Sequence, residues 1–150
     1  MPNWCLNKVD VSGDPVLIRR FKKAVAGTSK DENKQFSFNH ITRMPGEYRT
    51  TVFPVPDKDK KKSAALKRKY GSTDWYSWCK KNWGTKWDLP VDEDVLEDEE
   101  HEKTYGRLCY LFDTASTPPG HICTKLRKMF PDLYIVWFYS EPGNGLAGYL

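Results

Sequence analysis

Three histidines and four cysteines have the widest chemical range of any side chains in this sequence, and their spacing limits what they could do. His40, His101 and His121 stand far apart, and none lies near a Cys or an acid at the spacing of a zinc site. Cys5, Cys79, Cys109 and Cys123 occur singly, with no C-x-x-C pair. Trp4, Trp78 and Leu108 neighbour three of them, and apolar surroundings raise a thiol's pKa and blunt it as a nucleophile. Gly143 and Gly145 follow an apolar run but open no helix, so they do not form a dinucleotide-binding loop. No catalytic residue, metal ligand or cofactor is expected.

The remaining candidates are binding surfaces. Four Trp fall within the thirteen residues Trp75 to Trp87, interleaved with Lys80, Lys81 and Lys86. Such a segment could stack bases while its lysines take phosphates. Helical spacing instead favours burial of most of the indoles, and Trp87 is the one expected to be exposed. From Asp57 to Tyr70 seven bases face two acids; Lys58, Lys60, Lys61, Lys62, Lys67, Arg68 and Lys69 could grip nucleic acid or an acidic protein. From Asp92 to Glu102 there are eight acids and no Lys or Arg. Asp92, Glu93, Asp94, Glu97, Asp98, Glu99 and Glu100 lack the ligand spacing and turn glycine of a calcium loop. They could imitate a phosphate backbone to a nucleic-acid-binding target. Two opposite patches of this size matter more than the net charge of +4.

The elements that position these residues follow from periodicity. Trp4 to Val11 alternates like a strand and ends at Ser12-Gly13. Asp14 caps a helix with Pro15 at its first position, apolar Val16, Leu17, Phe21, Ala24 and Val25, and Gly27 at its stop. Residues 28–35 read as polar linker, Phe36 to Ile41 as a short strand, and 50–56 as extended chain. A mobile basic arm follows, with a short helix beginning near Ser63. Thr73-Asp74 caps a helix carrying Trp75, Trp78, Cys79 and Asn82 on one face, closed by Gly84. The acidic run reads as a loop before a strand over Thr104 to Asp113. Ser116 or Thr117 caps the next helix, which has Pro118-Pro119 in its first turn and Pro131 at its end. Leu133 to Tyr139 is the clearest strand, and 146–150 is a short strand-forming tail.

The order of strand, helix, middle strands, helix and strand is that of a ferredoxin-like α+β sandwich. It predicts one domain over residues 1–150: an antiparallel sheet with helices on one face and an insertion at about 42–103 holding the Trp-rich helix and the charged loops. The other sheet face is free to bind. The start Met1-Pro-Asn-Trp-Cys has no basic residue and no apolar core of a secretory signal, which predicts a cytoplasmic protein with free thiols. Leu133 to Tyr139, the longest apolar stretch, is too short to span a bilayer. Nothing obvious blocks the free edge of the last strand, so it leaves room for a dimer.

Several strings together resemble the YubB-like family of phage- and plasmid-borne proteins: Met1-Pro-Asn-Trp-Cys5, Phe36-Ser-Phe-Asn39 before Met44-Pro45, Asn82-Trp-Gly-Thr-Lys-Trp-Asp88, Phe112-Asp-Thr-Ala-Ser-Thr-Pro-Pro119, and Phe130-Pro-Asp-Leu133 with Glu141-Pro142. The resemblance implies a ferredoxin-like domain in a mobile-element setting and carries over no catalytic residues. In that setting, a small protein without catalytic apparatus is expected to be a non-enzymatic inhibitor that blocks a bacterial host protein sterically, with a defence-system component such as CRISPR interference as the target class. The alternatives are a nucleic-acid-binding accessory protein that uses the basic arm and the sheet face, and a sponge for a signalling nucleotide.

Overall fold

A computed structural model describes residues 2–29, 32–90 and 95–150. The elements are β1 (Trp4–Gly13), α1 (Pro15–Val25), β2 (Gly27–Ser29), β3 (Glu32–Lys34), α2 (Phe38–Ile41), α3 (Lys60–Tyr70), α4 (Trp75–Asn82), β4 (Leu96–His101), β5 (Gly106–Ala115), α5 (Gly120–Met129), β6 (Tyr134–Glu141) and β7 (Leu146–Tyr149).

Sequence and structure agree where one local signal sets the boundary. Asp14 accepts from the amides of Val16 and Leu17, with Pro15 opening α1, so the cap and the missing proline N–H fix the start. Asp74 caps α4 through the Ser77 amide at 2.9 Å. Trp78 and Cys79 are buried as the helical spacing predicts, and Trp75 packs half-buried against the core.

The main sheet runs β4-β5-β1-β6-β7, and every neighbouring pair is antiparallel. Its first four strands have the ferredoxin-like order, and β7 extends the sheet as a hairpin with β6. The pleat sends Cys5, Asn7, Val9 and Val11 inward with Leu108, Tyr110, Phe112, Ile135 and Trp137. Ile18 and Phe21 of α1 and Ile122 and Leu126 of α5 cover that face. The fold is therefore α+β with the helices on one side, as expected.

Elsewhere the structure corrects the local reading. Residues 27–29 and 32–34 form an antiparallel pair instead of a linker, because polarity marks exposure and does not prevent backbone pairing. Phe38–Ile41 is a helical turn, not a strand. Ser37 Oγ accepts from the His40 amide, and the distant Asp88 accepts from the Phe38 and Asn39 amides. The helix α1 stops at Val25 because Ala26 turns extended, and Gly27 already belongs to β2. The basic arm is regular: a 3-10 turn over Asp57–Asp59 leads into the 11-residue α3, closed by Gly71 at φ +86°. Lys, Arg, Ala and Leu are good helix formers, and Leu66 joins the core. The expected acidic loop holds β4, whose backbone pairs with the exposed edge of β5 from Leu96↔Leu111 to His101↔Gly106. Neither Ser116 nor Thr117 caps α5. That helix starts at Gly120 with no side-chain cap, and Thr117 instead donates to the Gly84 carbonyl at 2.8 Å.

Phe36 joins the insertion to the sheet. Its ring centroid lies 5.0 Å from that of Phe112, 5.2 Å from Tyr110, and 6.1 Å from both Phe38 and Trp137. Removing a fully buried ring leaves a cavity and strips its contacts, at a cost of about 3–5 kcal/mol. Phe36→Ala is expected to lower the unfolding free energy by that amount, seen in urea titrations followed by tryptophan fluorescence as a lower midpoint with little change in m. A loss below about 1 kcal/mol would show that the site collapses without cost.

Candidate partner-binding surfaces

Three surfaces carry the residues singled out by sequence. The first is α3, where only Ser63 and Leu66 are buried, so Lys60, Lys61, Lys62, Lys67, Arg68 and Lys69 all face solvent, with Lys58 in the preceding 3-10 turn. Lys60 pairs with Asp57 at 2.6 Å, and Lys62 donates to Thr50 Oγ1 at 2.8 Å. Lys69 and the Tyr70 hydroxyl both donate to Glu47, at 2.9 and 2.8 Å. These contacts pin the helix to the Gly46–Thr50 turn. Among the described residues, Lys58, Lys61, Lys67 and Arg68 form no ion pair.

The second surface is acidic. Asp92, Glu93 and Asp94 lie outside the described residues. Glu97 and Asp98 occupy β4 opposite Tyr110 and Cys109. Glu99 pairs with Lys22 of α1 and with His101, and the lysine contact holds its carboxyl below the ordinary range. Glu100 sits opposite Arg107, and Glu102 is exposed. β4 is an edge strand of the sheet and its Glu100 is exposed; charge on an edge strand is a common protection against edge-to-edge pairing.

The third surface centres on Trp87, which is 43% exposed as predicted. Its neighbours in the string Asn82–Asp88 explain why. Asn82 donates to the Trp78 carbonyl, and the Trp83 indole donates to the Thr42 carbonyl, both at 2.9 Å. Gly84 has φ +92°, and a Cβ there would lie 2.8 Å from the Gly120 amide, so only glycine lets α4 end against α5. Thr85 donates to the Ala115 carbonyl at 3.0 Å. Asp88 accepts from Ser37 Oγ and from the Phe38, Asn39 and Leu89 amides, and lies 3.5 Å from Lys34. Every residue of the string except Lys86 and Trp87 is thus committed to packing or bonding, and the Lys86 ammonium lies 4.7 Å from the Trp87 ring centroid.

Trp87 shares a cavity of about 140 Å³ with Trp4, Leu89, Pro90, Asp88 and Asp113. Trp4 is 45% exposed and was not among the expected site residues. Its signal lay in strand parity: Trp4 alternates with Cys5, on the side of Lys8 and Asp10, which places it on the face away from the helices. That open face also carries Leu6, Val136 and Phe138, and Arg107 bridges to Asp10 at 2.7 Å, with Lys8 3.4 Å from the same carboxylate. A larger open groove of about 520 Å³ lies between α5 and β6. Arg127 crosses it, donating to the Ile135 and Leu150 carbonyls, so its cation is already committed to the backbone.

Burial raises all four thiols, Cys79 to about 12, and leaves them protonated near neutral pH. Among the described residues no group of His, Cys, Asp and Glu could hold a metal, and no helix is long and apolar enough to cross a membrane.

The geometry defines a ferredoxin-like α+β domain with a structured insertion. The chain is similar in fold to the crystal structure of protein Api92 from Yersinia pseudotuberculosis, of the DUF1281 family. That match has a TM-score of 0.56 and 12% identity, and covers 99% of this chain and 93% of that one. No family model matches the sequence, and no curated protein matches it.

The Glu47 contact gives a pH test of α3. Lys69 and then Tyr70 hold the Glu47 carboxyl down, from 4.5 to about 2. Its folded pKa is depressed, so its contribution to stability is present above 4.5 and is lost as pH falls through about 2. Carboxyl ¹³C titration is expected to place Glu47 near the lower value and to return it to the ordinary range in Lys69→Met. A normal titration in the unsubstituted protein would contradict the contact.

Proposed function

We propose that the protein is a non-enzymatic binding protein of a phage or plasmid that acts in the bacterial cytoplasm by occupying the surface of a host protein. A component of a defence system such as CRISPR interference is the target class expected of a small mobile-element protein without catalytic apparatus. The observation that carries the reading is the cationic face of α3, a regular helix anchored at both ends that presents Lys61, Lys67 and Arg68 with no ion pair among the described residues. Side chains held on a fixed helix lose less freedom on docking than those of a loose arm, so more of the interaction is left as affinity. The acidic edge strand β4 offers a second surface of opposite sign, and such patches steer encounter and reject wrong partners. The raised thiols support a role without nucleophilic chemistry.

A second reading, nucleic-acid binding, is favoured by one observation: Trp87 is exposed with Lys86 over its ring, on the same insertion as the cationic helix. Two experiments separate the readings. The first is capture from bacterial host lysate, followed by rebinding of the purified partner. The second is direct titration with single-stranded RNA and DNA over a salt series. The proposal expects a stoichiometric protein partner, lost on combining Lys61→Glu, Lys67→Glu and Arg68→Glu, and only weak nucleic-acid binding. Micromolar nucleic-acid binding with a steep salt slope, lost in the same variant and with no protein partner, would replace it.

A further inference from the structure

We propose that β7 is a dimerisation edge, which two copies of this chain pair with itself, antiparallel, across a two-fold axis at Gly148. The inference does not depend on the reading of the chain as an inhibitor.

The sheet ends in two edges of opposite character. Glu97, Asp98, Glu99 and Glu100 all fall within β4, and Glu100 is exposed. Acidic residues on an edge deter the addition of another strand. The other edge, β7, reads Leu146-Ala147-Gly148-Tyr149 and runs on to Leu150, with no charge and no proline. Leu146 is 54% exposed and Tyr149 72%. This edge is left unblocked.

Hydrogen-bond parity identifies the unused groups of β7. Leu150 donates to the Trp137 carbonyl at 3.0 Å, and the register sets Gly148 opposite Tyr139 and Leu146 opposite Glu141. In an antiparallel ladder the N–H and C=O of one residue point the same way, and that direction alternates along the strand. Leu146, Gly148 and Leu150 therefore turn their main-chain groups to β6. Ala147 and Tyr149 turn theirs outward, where no other strand of the sheet meets them.

A second copy supplies the matching set. A two-fold axis through Gly148 places Ala147 of each copy opposite Tyr149 of the other. Each pair exchanges both of its N–H···O=C bonds, so every outward donor and acceptor of β7 is used. Strands related by a two-fold axis are antiparallel by symmetry, and the pairing closes at a dimer. Pairing β7 with β4 of another copy would instead lay an apolar strand along an acidic one and run on as a filament. Gly148 falls at the axis in the closely spaced pair, where the main chains approach to about 4.5 Å with no side chain of that residue between them. Tyr139 covers that glycine from its own copy, its hydroxyl 3.3 Å from where a Cβ would stand. Leu146 then meets Leu150 of the other copy on the helix side. Tyr149 meets Ala147 on the open face, beside the Phe138 ring whose centroid is 5.4 Å from its own. No like charges are brought opposite one another. The edge is short, however, and covers less than the roughly 800 Å² per partner of a standard interface, so the dimer is reversible.

Sedimentation equilibrium of the full chain tests the pairing, with the chain as its own ligand. A monomer–dimer equilibrium with a dissociation constant on the order of 100 µM is expected, unchanged by added salt. Amide exchange at Ala147 and Tyr149 is expected to slow as the concentration rises. Ala147→Pro removes an outward donor without touching the bonds to β6, and Tyr149→Lys puts a charge on the edge. Each is expected to weaken the dimer at least about tenfold, with circular dichroism unchanged. A chain that stays monomeric to about 1 mM, or a dimer indifferent to both variants, would overturn the proposal. A dimer dispersed by salt would do the same and assign the contact to the charged surfaces of α3 and β4. A monomeric chain whose captured host protein is lost in Tyr149→Lys would give the edge to a foreign strand, against the proposal and in favour of the protein-binding reading.

Discussion

Contacts between aromatic rings, some edge-on and some tilted, hold the insertion to the sheet, and every proposed binding surface except the β4 and β7 edges depends on them. Trp137 at the sheet centre meets Phe36 and Phe112; Phe38 continues to Trp83, Trp83 to Trp78, Trp78 to Tyr48, and Tyr48 to Tyr70 at the end of α3. Each such pair contributes about 0.5–1.5 kcal/mol beyond the area it buries, whereas exposed ion pairs like those of α3 contribute about 0–1 kcal/mol. The rings therefore set where the helix sits, and the lysine contacts tune it. A hydrogen-bond network runs beside this lattice: the Trp137 indole donates to Asn7, which donates in turn to Thr114 and to the Cys5 carbonyl. A buried amide satisfied in this way fixes one register of β1 against its neighbours.

The same lattice explains the composition. An aromatic content of 14% is high for a chain of this length, and it compensates for a modest hydrophobic fraction of 39%. Most of the insertion consists of short helices and turns, which bury little surface on their own. Large rings give each of them one strong contact with the sheet or with the next element. The cost is sensitivity to local backbone geometry, as at Gly84, where α4 must end within reach of the start of α5.

The ferredoxin-like frame was legible because its signals are local. Alternation in β1, β5 and β6, the Asp14-Pro15 start and the Asp74 cap each lie within a few residues of the structure they specify. What the sequence hid was set by distant partners. The turn at Phe38 is capped by Asp88, fifty residues away, and β4 is a strand because β5 has an edge to pair. Acidic and basic runs look alike as loops, helices or edge strands, since charge reports exposure and says nothing of backbone form. Trp87 was legible as exposed, because its neighbours have clear structural duties. Trp4 became a candidate only when β1 and the loop after α4 were seen to converge.

Native-state hydrogen exchange tests the coupling of insertion to sheet most directly. If the aromatic lattice makes them one unit, the slowest amides of α4, around Cys79 and Lys80, will open with the same free energy and denaturant dependence as those of β1, around Val9. An α4 that exchanges through a much cheaper opening while β1 stays protected would show that the insertion is a separate, loosely tethered body.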